Sequence, residues 1–187
     1  MRVTLVRHGE VDEKYLGKYN GHNDIALSKK GKEQAKELAQ HFASTLFDRV
    51  YCSDLRRARE TLQPFKQRKG AIYTKELREK SWGRHEGLSF DEICRLENLK
   101  YKSFGQWVDA LDGERQDAYI QRIETFFKKE IFSKDDKDIL LITHAGVIRT
   151  FIAMVKSISF EKSFEFKIPY ASYIKYDDGI IMLQSFD

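Results

Sequence analysis

The stretch Val3-Thr4-Leu5-Val6-Arg7-His8-Gly9-Glu10, VTLVRHGE, begins as an aliphatic run and ends in charged and flexible residues. Near-continuous β-branched and aliphatic runs mark parallel strands covered on both faces, and in open α/β sheets ligands bind just beyond the carboxyl ends of such strands. Arg7 to Glu10 therefore fall where an α/β protein places its chemistry.

Working outward, strands and helices alternate. Arg2 to Val6 reads as a strand, and Ser28 to about Ser44 carries Ala35, Leu38, Ala39 and Phe42 at helical spacing behind Ser28 as N-cap. Arg49 to Ser53 is a second strand, Asp54 to about Lys66 a second helix, and Ala71 to Thr74 a third strand. Ser89 to about Phe132 is mostly helical with a break near Asp112-Gly113. Ile139 to Thr143, ILLIT, is the most apolar strand, and Val147 to about Lys156 is the helix after it. Strands near Ser172 to Tyr176 and Ile180 to Gln184 flank Asp177-Asp178-Gly179, whose DG step signals a hairpin. This order predicts a three-layer α/β/α sandwich: a mostly parallel central sheet, an antiparallel pair at one edge, and a helical cap inserted over about 89–132. No repeat or linker divides residues 1–187, so one domain is expected.

Composition sets the outer limits. A chain of 187 residues with 41% hydrophobic content has enough material for a sizeable core, which excludes a disordered protein. The net charge of +4 is spread along the chain, which favours anionic small molecules mildly and gives no case for nucleic acid. No apolar run reaches the roughly 20 residues needed to span a bilayer, and the N-terminus lacks a signal-peptide pattern, so no membrane partner and a cytoplasmic location are expected. Cys52 and Cys94 form no CxxC pair and read as reduced structural thiols.

Three strand ends share one character: LVRHGE, YCSDLRRA and LITHAGVIR each pass from an apolar run into His, Arg or Ser. If the strands are parallel neighbours, His8, Arg57 and His144 converge on one crevice with Arg7. Two imidazoles and two guanidiniums with little opposing charge make a phosphate site, given the fork geometry of Arg. Arg56 and Arg59 should point elsewhere, because helical neighbours diverge by about 100°.

With these residues in place, the chain resembles the histidine phosphatase superfamily, the group that contains cofactor-dependent phosphoglycerate mutases and α-ribazole phosphatases. The resemblance rests on RHGE at 7–10, GHNDIALSKKG at 21–31, CSDLRRARET at 52–61, LREKSWGRHEGLS at 77–89 and THAGVIR at 143–149. These motifs in this order are far more specific than a lone RHG. The resemblance implies that His8 is the nucleophile that becomes a phosphohistidine. Arg7, Arg57 and a protonated His144 would bind the transferring group, and Glu79 would donate and accept the proton. Attack on phosphorus needs one unprotonated nitrogen on His8, so its other nitrogen should donate a hydrogen bond that fixes the tautomer. No metal or other cofactor is implied, since the cationic side chains stabilise the charge of the transferring group.

Several further residues carry weaker signals. The family commonly has Asn six residues after the nucleophile; here Lys14 stands there and would replace that contact with a point charge. Asn20 and Gly21 are expected at the mouth, and Ala145 beside His144 in the binding set. Glu10 reads as a supporting or capping residue. His41 on a helix, and His22 and His85 in loops near the mouth, are expected outside the chemical step. Tyr101, Phe104, Trp107 and Tyr119 in the cap are core residues on one reading and a stacking surface for a nucleobase-like ring on the other.

The motif spacing looks most like the α-ribazole phosphatases, which act on α-ribazole 5′-phosphate in cobalamin synthesis. Three alternatives remain: a broad-specificity phosphatase of sugar phosphates or phosphoserine, a phosphoglycerate mutase, and a protein-phosphohistidine phosphatase. Mutases of the family typically carry an inserted segment and a C-terminal tail, so hydrolysis is expected of a chain ending at Asp187. The expected partner is a small phosphomonoester, with the protein a monomer or homodimer.

Overall fold

The computed structural model describes residues 1–98 and 104–184. Eight strands are placed among them: β1 (Arg2–Arg7), β2 (Lys18–Tyr19), β3 (Arg49–Ser53), β4 (Ile72–Thr74), β5 (Leu88–Ser89), β6 (Asp138–Thr143), β7 (Tyr173–Asp177) and β8 (Ile180–Gln184). The α-helices are α1 (Lys29–His41), α2 (Arg56–Leu62), α3 (Phe90–Glu97), α4 (Phe104–Ala110), α5 (Gln116–Phe126) and α6 (Ala145–Lys156).

The central sheet has the order β4-β3-β6-β1-β7-β8. Its first four strands are mutually parallel, while β7 and β8 run antiparallel at one edge. The predicted sheet is the one observed. The Asp178-Gly179 turn has positive φ at both residues, as a two-residue hairpin loop of the primed type requires.

Alternation along the strands divides the core into two layers. Val3, Leu5, Ile139 and Leu141 pack with Ile123 and Phe127 and with Ile148 and Phe151 of α6. Val6, Val50, Leu140 and Ile142 point the other way, onto Leu38 of α1, Phe42, and Ala58 and Leu62 of α2. Each fully buried Leu, Ile or Phe contributes about 1.5–3 kcal/mol, so these two layers fix the sheet between its helices.

Between Leu88 and Ile131 the described residues form α3, α4 and α5, with the expected break near Asp112-Gly113, and the segment ends in a π turn at Phe127–Ile131. It forms a third small core in which Trp82, Ile93, Trp107, Val108 and Leu111 meet, with Tyr19 and Leu88 against them. Trp107 is fully buried there, which settles it as a core residue rather than a stacking surface. Tyr101 and the Phe104 side chain lie outside the described residues.

Several helix boundaries differ from expectation: α1 ends at His41 rather than about Ser44, and α2 begins at Arg56 rather than Asp54. The second helix stops at Leu62 instead of about Lys66, because Pro64 brings no N–H and its ring clashes with a preceding carbonyl. The last helix starts at Ala145, not Val147, with His144 at its N-cap. Ala145 and Gly146 thus belong to a first turn whose amides have no partner inside the helix.

Among the described residues, no helix is long and apolar enough to cross a membrane. Both cysteines are free thiols.

Candidate active site

Because β3, β6 and β1 are consecutive in the sheet, their carboxyl ends open onto one place. The register sets Arg7 beside Thr143 and Cys52 beside Ile142, and the His8 amide donates to the Thr143 carbonyl at 2.9 Å. The residues that follow β1 and β6, His8 and His144, are therefore neighbours, with ring centroids 5.1 Å apart. Gly9 after the nucleophile candidate is forced: a Cβ there would lie 2.5 Å from the Gly31 carbonyl oxygen on α1.

His8 is buried, and its Nδ1 lies 2.8 Å from the Gly9 carbonyl oxygen. A carbonyl only accepts, so Nδ1 carries the hydrogen and Nε2 carries the lone pair. Burial first, and then the Arg57 and Arg7 guanidiniums, hold His8 well below the usual histidine range, so the ring is neutral at pH 7. The expected fixed tautomer is present.

His144 departs from expectation. Arg57 Nε donates to His144 Nδ1 at 3.2 Å, which requires Nδ1 to be unprotonated, and so Nε2–H faces Ser53 Oγ at 2.8 Å. Burial and the Arg57 charge hold this ring well below the usual range too. His144 is a neutral acceptor that aims Arg57, rather than a cation.

Arg57 lies on α2 facing inward, while Arg56 pairs with Glu60 and Arg59 with Asp24 outside. Its Nη1 and Nη2 donate to the carbonyls of Asn23 (2.8 Å) and Gly21 (2.7 Å), so three of a guanidinium's five N–H groups are committed. Burial lowers it to about 10, with Glu79 opposing, and it stays cationic at neutral pH. Arg7 donates to the Ile168 carbonyl at 2.6 Å and lies 3.8 Å from the centroid of the Tyr170 ring. Its Nε is buried without a protein partner among the described residues.

Glu79 follows a short turn that Thr143 Oγ1 pins by donating to the Leu77 carbonyl at 2.9 Å. Oε1 accepts from the Tyr119 hydroxyl (2.8 Å) and the Lys80 amide (3.0 Å), and Oε2 accepts from the Gly146 amide at the start of α6 (3.0 Å).

Arg7, His8, Arg57 and Glu79 line a cavity of about 350 Å³, whereas His144, expected in the binding set, is fully buried behind them and is not part of the lining. Among the described residues its charged lining is Arg7, Lys18, Arg57, Lys80 and Arg149 against the single carboxylate of Glu79. Asn20, Gly21 and Ala145 line it as expected. Lys14 does not: it stands in a separate groove with Asp12, Asn23, Asp24 and Arg56, on a short turn capped by Asp12. Glu10 accepts from Ser28 Oγ at 2.9 Å at the start of α1. His22 touches the Glu79 carbonyl (3.0 Å), His41 the Tyr173 hydroxyl (2.7 Å), and His85 is buried against Glu97 (2.6 Å) rather than in a loop at the mouth.

Among the lining residues that escaped the sequence reading are Lys18, Tyr119 in this role, Lys80, Arg149 and Tyr170. Arg149 lies one turn after Ala145 on α6, a spacing that offered a signal. Lys80 is Glu79's neighbour in sequence, whereas Tyr170 arrives through tertiary packing alone.

The chain belongs to the histidine phosphatase superfamily (branch 1), whose model matches residues 3–179. It is a phosphatase of that family. An adenosylcobalamin/alpha-ribazole phosphatase of Salmonella typhimurium is 30% identical over 173 residues, covering 90% of this chain and 86% of the relative. The solved alpha-ribazole phosphatase of Shigella flexneri superposes with a TM-score of 0.84 at 27% identity, covering 98% of this chain and 95% of that one. A phosphoserine phosphatase of Entamoeba histolytica, in complex with 3-phosphoglyceric acid, superposes at 0.77 with 26% identity, covering 100% and 96%.

Proposed function

We propose that this phosphatase hydrolyses small phosphomonoesters through a phosphohistidine on His8, with α-ribazole 5′-phosphate as its preferred substrate. The observation that carries the reading is the His8 tautomer: Nδ1–H is spent on Gly9, which leaves Nε2 as a buried, unprotonated nucleophile between two guanidiniums.

In the first half-reaction, Nε2 attacks phosphorus and the ester oxygen leaves, taking a proton from Glu79. Arg7, through its unpartnered Nε, and Arg57, through its two uncommitted N–H groups, hold the equatorial oxygens in line. His144 keeps Arg57 aimed. In the second half-reaction, Glu79 takes a proton from water, the resulting hydroxide adds to phosphorus, and Nε2 departs with its electron pair.

Beyond the phosphoryl end the cavity is walled by Tyr19, Trp82, Phe160 and Phe164. Such a wall suits a flat heteroaromatic leaving group, in keeping with the likeness to alpha-ribazole phosphatases. A second reading comes from Lys80: its buried ammonium, over the Trp82 ring, makes one hydrogen bond among the described residues, to the Ser81 carbonyl at 3.2 Å. A carboxylate on the leaving group would pair with it, as in phosphoserine.

The test is phosphate release from α-ribazole 5′-phosphate, phosphoserine, 3-phosphoglycerate and sugar phosphates, with His8→Ala as control. A kcat/KM for the ribazole compound about a hundredfold above the others, roughly 2.7 kcal/mol of discrimination, is expected. Preference for phosphoserine, lost in Lys80→Met, would establish the second reading instead.

A further inference from the structure

We propose that Tyr119 is a positioning residue for the acid and base of the reaction: its hydroxyl fills Oε1 of Glu79, so that the transferable proton resides on Oε2. The inference rests on the reading of Glu79 as proton donor and acceptor. A carboxyl oxygen has two lone pairs. Among the described residues, Oε1 already receives both the Tyr119 hydroxyl and the Lys80 amide, whereas Oε2 receives only the Gly146 amide. The oxygen with room for a proton is Oε2.

Tyr119 is itself held firmly. Its ring is buried in the main core, with the Arg122 guanidinium 5.1 Å from its centroid. Arg122 is anchored on Glu114 (2.8 Å) and on the carbonyls of Glu76 (2.6 Å) and Arg78 (3.2 Å), which lie just before Glu79 in the chain. Arg122 thus ties helix α5 to the Glu79 segment. The charged and titratable groups that bear on the carboxyl are Arg7 of β1, Arg57 of α2, Arg149 of α6, the adjoining Lys80, and Tyr119. Among these, Tyr119 is the side chain that donates a hydrogen bond to it.

The experiment is the pH profile of kcat/KM for Tyr119→Phe, which keeps the buried ring, run beside Glu79→Gln. The alkaline limb reports the loss of the donor proton. Without the phenolic hydroxyl the ionised carboxylate loses a hydrogen bond, so the proton is retained to higher pH and the limb moves up by about half to one pH unit. An alkyl phosphate, which needs its leaving group protonated, loses about tenfold in rate, while 4-nitrophenyl phosphate, with its good leaving group, changes less than about twofold. Equal losses on both esters, or an unmoved limb in Tyr119→Phe while Glu79→Gln abolishes it, would overturn the role of Tyr119 alone. A limb unchanged in Glu79→Gln would remove the acid-base reading and this proposal with it.

Discussion

His8 and His144 face each other with ring centroids 5.1 Å apart, and both are neutral for the same reason: burial beside Arg57. Their hydrogen bonds run in opposite senses, however. His8 spends Nδ1–H on a carbonyl and keeps Nε2 open, whereas His144 spends Nδ1 as an acceptor for Arg57 and gives Nε2–H to Ser53. In the proposed mechanism one ring is left to attack, and the other holds the guanidinium that receives charge.

This arrangement makes stability depend on pH. Both histidines are protonated less readily in the folded chain than in the unfolded one, so below the unfolded value of about 6.5 the unfolded state binds more protons and folding weakens. Their contribution is fully present above about pH 7. It falls by about 1.4 kcal/mol per pH unit for each histidine as the pH drops below 6.5. Urea midpoints between pH 7.5 and 5.5 should show the decline; midpoints flat across that range would contradict the neutral assignment.

Gly146→Ala should separate chemistry from folding. The added Cβ would lie 2.2 Å from Glu79 Oε1 and 2.6 Å from the Tyr119 hydroxyl, and both are ends of side chains rather than backbone. The helix itself tolerates alanine, but the Tyr119 ring is buried and held, so overpacking should cost about 1–3 kcal/mol of unfolding free energy and leave the protein folded. Displacing the carboxyl by an ångström should cost about a hundredfold in kcat on alkyl phosphates. Steady-state kinetics and a melting curve on one preparation check both halves.

Lys14→Ala is expected to be silent. Lys14 stands outside the cavity in its own groove, so kcat/KM should stay within about twofold of the parent. A tenfold rise in KM would place that ammonium on the substrate after all.

Trp107→Ala should cost about 3–5 kcal/mol of stability, because the indole is fully buried at the centre of the small core beside Trp82 and Ile93. Denaturant unfolding measures the loss directly. A cost below 1 kcal/mol would mean that this cluster does not hold the cavity wall.

Much of this was legible in the sequence because β1 and β6 are aliphatic runs with chemistry at their ends, a pattern set by local residue order. Arg57 could be chosen over Arg56 and Arg59 because helical geometry turns only one of them inward. The protonation of His144 was not legible, since it depends on an arginine 87 residues away donating to Nδ1. Lys14 misled because position along a loop does not fix direction: the Asp12-capped turn carries it away from the cavity. Tyr119 read as a cap aromatic because only α5 packing against the Glu79 segment brings its hydroxyl to a carboxylate 40 residues distant.

The central claim is that phosphate passes through Nε2 of His8. Rapid quenching during turnover, followed by peptide mapping under conditions that preserve phosphoramidates, tests it most directly. One phosphoryl group on Nε2 of His8, formed and lost at rates matching kcat and absent from His8→Ala, is the predicted result. A folded His8→Ala protein with undiminished turnover, or turnover of the parent with no phosphoenzyme and inversion at a chiral phosphorus, would contradict it.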